Sequence, residues 1–200
     1  MIDSSGNEAH GTADTGLATQ SPVTGVINNA LDFGSSGMQL DVNAGAYSEF
    51  TISGWLYLHD QSNVWSTVIG YEHEWGINTY IKDNRREIGV WNNNKGELLG
   101  CGDFLFNEWF HFAILIQEST VYTYLDGEAG PIHPVKGLYS NEPIVFDIFG
   151  QNSLDQDFYE YMDEMRLTDS PQSRDWIRTE YLNQSSPSTF CILGTEDNLQ

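Results

Sequence analysis

The chain has 200 residues, the size of one domain. Its 8 Lys and Arg stand against 29 Asp and Glu, a formal net charge of -21, which excludes a general nucleic-acid binder and makes an anionic membrane surface an unsuitable partner. Hydrophobic residues at 40% and aromatics at 13% are too many for an acidic disordered tail, and no run reaches the roughly 20 apolar residues that insert across a bilayer.

Met1 leads straight into Ile2-Asp3-Ser4-Ser5-Gly6-Asn7, without the basic and apolar segments of a secretory signal, as expected of a piece cut from a larger precursor. Residues 1–29 are rich in Gly, Ser, Thr and Asn and predict an irregular lead-in. Short apolar runs separated by turn residues follow, the pattern of an all-β chain. They cover residues 38–42, 50–58, 67–71, 75–81 and 87–91, the last two bracketing the polar turn Lys82-Asp83-Asn84-Arg85-Arg86. Residues 109–116 are almost continuously apolar and predict a strand buried on both faces. A run over 121–125 ends at Asp126-Gly127, a tight-turn pair. Further runs cover 143–150 and 158–167. Ser170 and Pro171, followed by Ile177 and Tyr181 four apart, predict a helix over 171–182 packed outside the sheets. A closing strand is expected over 189–196. About ten strands and one helix in a single domain, 1–200, make an all-β sandwich of two sheets.

Two cysteines, Cys101 and Cys191, are spaced too widely for a CxxC metal or redox pair; two buried thiols and one long-range disulfide are both open. The lysines number three, Lys82, Lys95 and Lys136. Such a surface suits saline or Ca²⁺-rich water, or keeps the chain soluble by self-repulsion.

Five segments, in order, carry a resemblance. They are Gly25-Val26-Ile27-Asn28-Asn29-Ala30-Leu31-Asp32-Phe33, Phe50-Thr51-Ile52-Ser53-Gly54-Trp55, Trp109-Phe110-His111-Phe112-Ala113, Tyr124-Leu125-Asp126-Gly127 and Met162-Asp163-Glu164-Met165-Arg166. Together they resemble the motifs of laminin-G-like, concanavalin-A-like domains, and the stretch 173–190 resembles the C-terminal segment of bacterial members. The resemblance implies an antiparallel jelly-roll sandwich, within a larger extracellular or cell-surface bacterial protein whose other domains would be partners. It implies that Trp55 and Trp109 fill the core and that His111 packs within its strand. It also implies a structural Ca²⁺ between the lead-in and the acid of the last motif, here Asp3 and Asp163, since Ca²⁺ takes hard oxygen ligands. The alternative is that Asp163 accepts backbone N–H bonds from the lead-in.

One fold hosts lectins, enzymes and spacers, so function must come from a site. Glycosidases of this resemblance align three acids on one strand as E-x-D-x-E. In Glu160-Tyr161-Met162-Asp163-Glu164, alternation puts Glu160, Met162 and Glu164 on one side and Asp163 on the other. Glu160 and Glu164 would stand about 13 Å apart along the backbone, wide for paired catalytic carboxyls. A non-catalytic module is expected, with a glycosidase or lyase as the least favoured alternative. Sugars bind by stacking on aromatic faces while amides and carboxylates bond their hydroxyls. Trp65, Trp75 and Trp91 remain after the core and helix tryptophans, and they either cover the sheets or form a binding rim. Trp75 and Trp91, with His73, Glu74 and Asn92 as polar partners, are the candidate glycan-binding residues. A protein-interaction or spacer module that binds no sugar is the alternative.

Overall fold

The computed structural model describes residues 11–13, 22–34, 40–41, 46–60, 65–71, 75–82, 85–92, 96–134, 144–145, 148–149 and 158–190. Its first strands are β1 (Thr12–Ala13), β2 (Val23–Thr24), β3 (Asn29–Asp32), β4 (Leu40–Asp41), β5 (Ala46–Tyr47) and β6 (Phe50–Tyr57). Then come β7 (Trp65–Tyr71), β8 (Trp75–Lys82), β9 (Arg85–Asn92), β10 (Glu97–Asp103), β11 (Trp109–Gln117) and β12 (Thr120–Leu125). The last are β13 (Glu128–Pro134), β14 (Ile144–Val145), β15 (Ile148–Phe149) and β16 (Tyr161–Thr168), followed by helices α1 (Arg174–Ser185) and α2 (Pro187–Phe190).

Among the described residues two seven-stranded sheets form, in the orders β1-β4-β15-β7-β8-β9-β10 and β13-β12-β11-β6-β16-β3-β2, with β14 and β5 paired separately. The paired strands run antiparallel. Alternation sets the interior. Phe50, Ile52 and Leu56 of β6 and Phe110, Phe112 and Ile114 of β11 point inward. They belong to one core with Ile69, Ile77, Ile88, Val90 and Leu99 of the first sheet. Cys101 joins that core as a buried free thiol; burial pushes it far above the usual thiol range, so it is inert at neutral pH. Cys191 lies outside the described residues.

Helix α1 explains why β11 is apolar on both faces. Ile177, fully buried, packs with Ala113, Leu115 and Tyr124 on the outer face of the second sheet. The polar groups beneath the helix are paired as well. Glu180 accepts the Ser53 hydroxyl at 3.0 Å and Arg166 at 3.0 Å. The Trp55 indole donates to Gln184 and stacks on Tyr181 at 5.6 Å between ring centroids. Gly127, at φ +74°, lets the β12–β13 turn pass under Tyr181, whose ring atoms would lie 2.9 Å from an added Cβ.

Several expectations are corrected. The lead-in is not wholly irregular, because β1, β2 and the start of β3 lie within it. The helix begins at Arg174 rather than 171, since Ser173 is the N-cap and its hydroxyl accepts the Trp176 N–H. No strand begins at 189: Thr189 and Phe190 donate their N–H groups to the Ser186 carbonyl within α2, and 191–196 lie outside the described residues. Strands β10 and β13 have no counterpart among the predicted runs. Gly100 and Gly102 interrupt the alternation of β10, and Pro131 and Pro134 that of β13. Both strands are sheet edges, where such residues are tolerated. Finally, a bulge between Asp163 and Arg166 puts Glu164 at φ 48°. Strict alternation therefore fails, and the Glu164 carboxylate bonds Arg166 on the helix-covered face, at 2.8 Å.

Candidate functional site

The outward face of the first sheet carries the aromatic residues that the core does not use. On β8, Ile77, Thr79 and Ile81 take the inward phase, which leaves Asn78 and Tyr80 outward. Tyr80 is the register partner of Trp65 on β7 and of Glu87 on β9. Trp91, four residues beyond Glu87, has the same phase.

The three rings come together. Trp65 and Tyr80 lie 4.4 Å apart between centroids, tilted by 43°, and Trp65 meets Trp91 edge to face at 5.1 Å. In the strand register, Trp65 and Trp91 stand on non-adjacent strands and at different levels. Gly76 and Gly89 share that face, and the space a Cβ would take there is filled by the Asn78 side chain at Gly76 and by the Leu99–Gly100 backbone at Gly89. The floor below is polar: Asn78 donates to the Thr67 hydroxyl at 3.0 Å, and both residues are buried. Beside the rings, the Glu87 carboxyl group lies against Gly100, 3.2 Å from where a Cβ would stand, and His133 Nε2 is 3.1 Å from the Gly100 carbonyl oxygen. Half-buried aromatic faces, one carboxylate and a hydroxyl–amide floor suit a ligand with both apolar faces and hydroxyl edges.

Of the sequence candidates, Trp91 is in this cluster. Trp75 opens β8 opposite Tyr71, and Asn92 pairs with Glu97; their side chains lie outside the described residues, as do His73 and Glu74 altogether. Trp65 and Tyr80 are the members that the sequence candidates omit. Tyr80 was detectable, because it alternates out of phase with Ile77 and Ile81. The expected core role of Trp109 is corrected: it opens β11 half-buried on the outer face of the second sheet. Trp55 is buried, but under α1 rather than between the sheets.

Asp163 is buried and ties the loop after β2 to β16. Its Oδ2 accepts the Ile27 N–H at 3.0 Å and its Oδ1 the Glu164 N–H at 2.9 Å. Burial raises its pKa, and the backbone N–H bonds from Ile27, Glu164 and Val26 oppose that rise. With lone pairs so occupied, this carboxylate can contribute at most part of a Ca²⁺ shell. Among the described residues, no three His, Cys, Asp or Glu side chains gather as metal ligands, and Asp3 lies outside them. Asp163→Ala should lower stability by about 1–3 kcal/mol, because two half-buried N–H groups lose their acceptor. Thermal melts of the variant and the parent chain, each with Ca²⁺ and with EDTA, check this. A calcium contribution requires a parent-chain shift that the variant lacks.

Among the described residues, no helix is long and apolar enough to cross a membrane. No curated protein matches the sequence. In structure, the chain resembles the receptor binding domain of botulinum neurotoxin mosaic serotype C/D, at TM-score 0.71 and 18% identity over 92% of this chain and 48% of that one. It also resembles domain 4 of AbnA, a GH43 extracellular arabinanase from Geobacillus stearothermophilus, in complex with arabinotriose. There the TM-score is 0.58 and the identity 15%, over 86% of this chain and 82% of that one. A third similar structure is Trypanosoma rangeli sialidase with the inhibitor DANA, at TM-score 0.59 and 13% identity, over 82% of this chain and 28% of that one. The chain spans about half the length of the neurotoxin binding domains it matches. A family model described as the concanavalin A-like lectin/glucanases superfamily matches residues 32–178, most of the sandwich from β3 into α1, and the chain belongs to that superfamily.

Proposed function

We propose that the chain is a non-catalytic carbohydrate-binding module of a larger extracellular bacterial protein, with Trp65, Tyr80 and Trp91 as its stacking platform and Glu87 as a hydroxyl acceptor. The observation that carries the proposal is the meeting of three aromatic rings on an outward sheet face beside a polar floor. A solved neighbour held with arabinotriose supports the ligand class. The displacement of Glu164 by the bulge supports the absence of glycosidase chemistry, since it separates the acids that would have to share a cleft. A structural Ca²⁺ at Asp163 and Asp3 belongs to the same proposal and is decided by the melts above. Two neighbours are receptor binding domains of botulinum neurotoxins, and capture of a protein receptor is the second reading.

Calorimetric titration with arabino-, xylo-, cello- and malto-oligosaccharides tests the assignment. Loss of a stacking ring at a binding hot spot costs about 2 kcal/mol, so Trp65→Ala should weaken the best ligand roughly thirty-fold while the circular dichroism stays that of the parent. Binding unchanged in Trp65→Ala and Trp91→Ala would place the ligand elsewhere, and no heat with any sugar would favour protein capture.

A further inference from the structure

Helix α1 covers only part of the outer face of the second sheet. Another group of aromatics stands on that sheet, at the end of β6 where Tyr57 lies. Tyr57 is the register partner of both Trp109 on β11 and Tyr161 on β16, so the three side chains form one row across three neighbouring strands. Asp32 on β3, the partner of Tyr161, extends the row by one strand. Ring centroids are 5.6 Å apart for Tyr57 and Trp109, 5.3 Å for Tyr57 and Tyr161, and 6.4 Å for Trp109 and Tyr161. His59 lies edge-on to two of them, 5.2 Å from Tyr57 and 5.0 Å from Tyr161. The buried Glu160 carboxylate holds His59 there, accepting its backbone N–H at 2.9 Å and meeting its Nδ1 at 2.5 Å. All four rings are half-buried, and 43% of the His59 side chain is exposed.

The geometry decides among ligand classes. A cage for an organic cation needs ring faces held apart around it, whereas these rings pack against one another and leave no gap. An anionic ligand would meet Asp32, Glu160 and the overall charge of -21. The backbone row is three strands wide, but the rings draw together above it, with the Trp109 and Tyr161 centroids 6.4 Å apart. The cluster offers its exposed apolar ring surface to a ligand of that size, with a carboxylate and an imidazole at its margins for hydroxyl groups. We propose that Trp109, Tyr57 and Tyr161 form a second carbohydrate contact, taking one unit of a neutral sugar chain. It uses residues separate from Trp65, Tyr80 and Trp91 and does not depend on their role.

The indole N–H resonances of the ¹⁵N-labelled full chain report on the two faces separately, with Trp109→Phe and Trp91→Phe assigning the signals. The probes are the neutral hexaoses of arabinose, xylose, glucose (β1,4) and glucose (α1,4), with an oligogalacturonate as the charged control. The expected result is a saturable shift of the Trp109 signal with at least one neutral hexaose and none with the galacturonate. In Tyr161→Leu, which keeps an apolar side chain but no ring face, the affinity read at Trp109 should fall roughly ten-fold. A Trp109 signal that stays still with every neutral hexaose at millimolar concentration overturns the proposal, as does a shift that Tyr161→Leu leaves unchanged. Movement at Trp91 alone would leave the first-sheet platform standing and remove this one, and movement at Trp109 alone would do the reverse.

Discussion

Trp55→Ala should lower the unfolding free energy by about 3–5 kcal/mol, the range for truncating a buried aromatic. Three interactions go at once. The ring is 4% exposed, so a cavity opens between β6 and α1. Tyr181 loses its stacking partner, and His111 its edge contact at 5.2 Å. Gln184 loses the indole donor to its carbonyl oxygen. Trp55→Phe restores most of the apolar volume but not the N–H, so it should cost only the unmet hydrogen bond, about 1–3 kcal/mol. Urea unfolding of the three proteins measures the difference. Equal losses for Ala and Phe would mean that the hydrogen bond, not the packing, holds the helix; a loss under about 1 kcal/mol for Ala would mean that α1 docks without this residue.

The second large effect is a pH dependence centred on His111. This ring is fully buried beneath α1, and among the described residues neither of its nitrogens has a hydrogen-bond partner. Nε2 lies 3.9 Å from Glu180 Oε2. Burial first, and then the Arg166 guanidinium, hold its pKa down to about 3, against an ordinary value of 6.5. The folded state therefore binds fewer protons than the unfolded state. The stability this carries is fully present above pH 6.5 and is lost progressively as pH falls from 6.5 toward 3. Between pH 7 and pH 5.5 the loss should be about 1 kcal/mol. Glu180 works in the opposite sense. Its pKa is raised, chiefly by burial, with Arg166 and Ser53 opposing. Its protonation therefore offsets the loss as pH falls through its raised pKa, above the ordinary carboxylate value, so a variant comparison and not the pH window isolates the histidine. Acidification also relieves the self-repulsion of a chain at -21, so the comparison must be with His111→Leu. The parent chain should lose about 1 kcal/mol more than the variant over that window; equal slopes would mean that His111 does not set the dependence.

Both effects arise beneath a helix whose existence was legible in the sequence, from Ser170, Pro171 and the four-residue spacing of Ile177 and Tyr181. Its docking was not. Trp55 and His111 carry no local mark of whether they face the sandwich core or a covering helix. Both have the phase opposite to Phe50, Ile52, Phe110 and Phe112, yet Trp109, which shares that phase, stays half-exposed one strand end away. The bulge at Glu164 was hidden for a similar reason, because a positive φ at a glutamate has no sequence signal comparable to glycine. At the binding face, Trp91 could be named from its neighbourhood and Tyr80 from its phase. That Trp65 and Trp91 would meet could not, because the meeting depends on the pairing and register of three strands.

What the sequence by itself determined was period and punctuation: alternating runs make strands, Asp126-Gly127 turns the chain, and five ordered motifs name the sandwich. These are local properties, set within a few residues by backbone geometry and by the burial of every second side chain. What only the tertiary structure decided was adjacency. Tyr57 meets Trp109 and Tyr161, and Glu180 meets Ser53, across sequence separations that no local pattern encodes. Sheet order and register, and the one surface on which α1 can bury Ile177, then sort chemically similar outward residues into those covered by the helix and those left for a ligand.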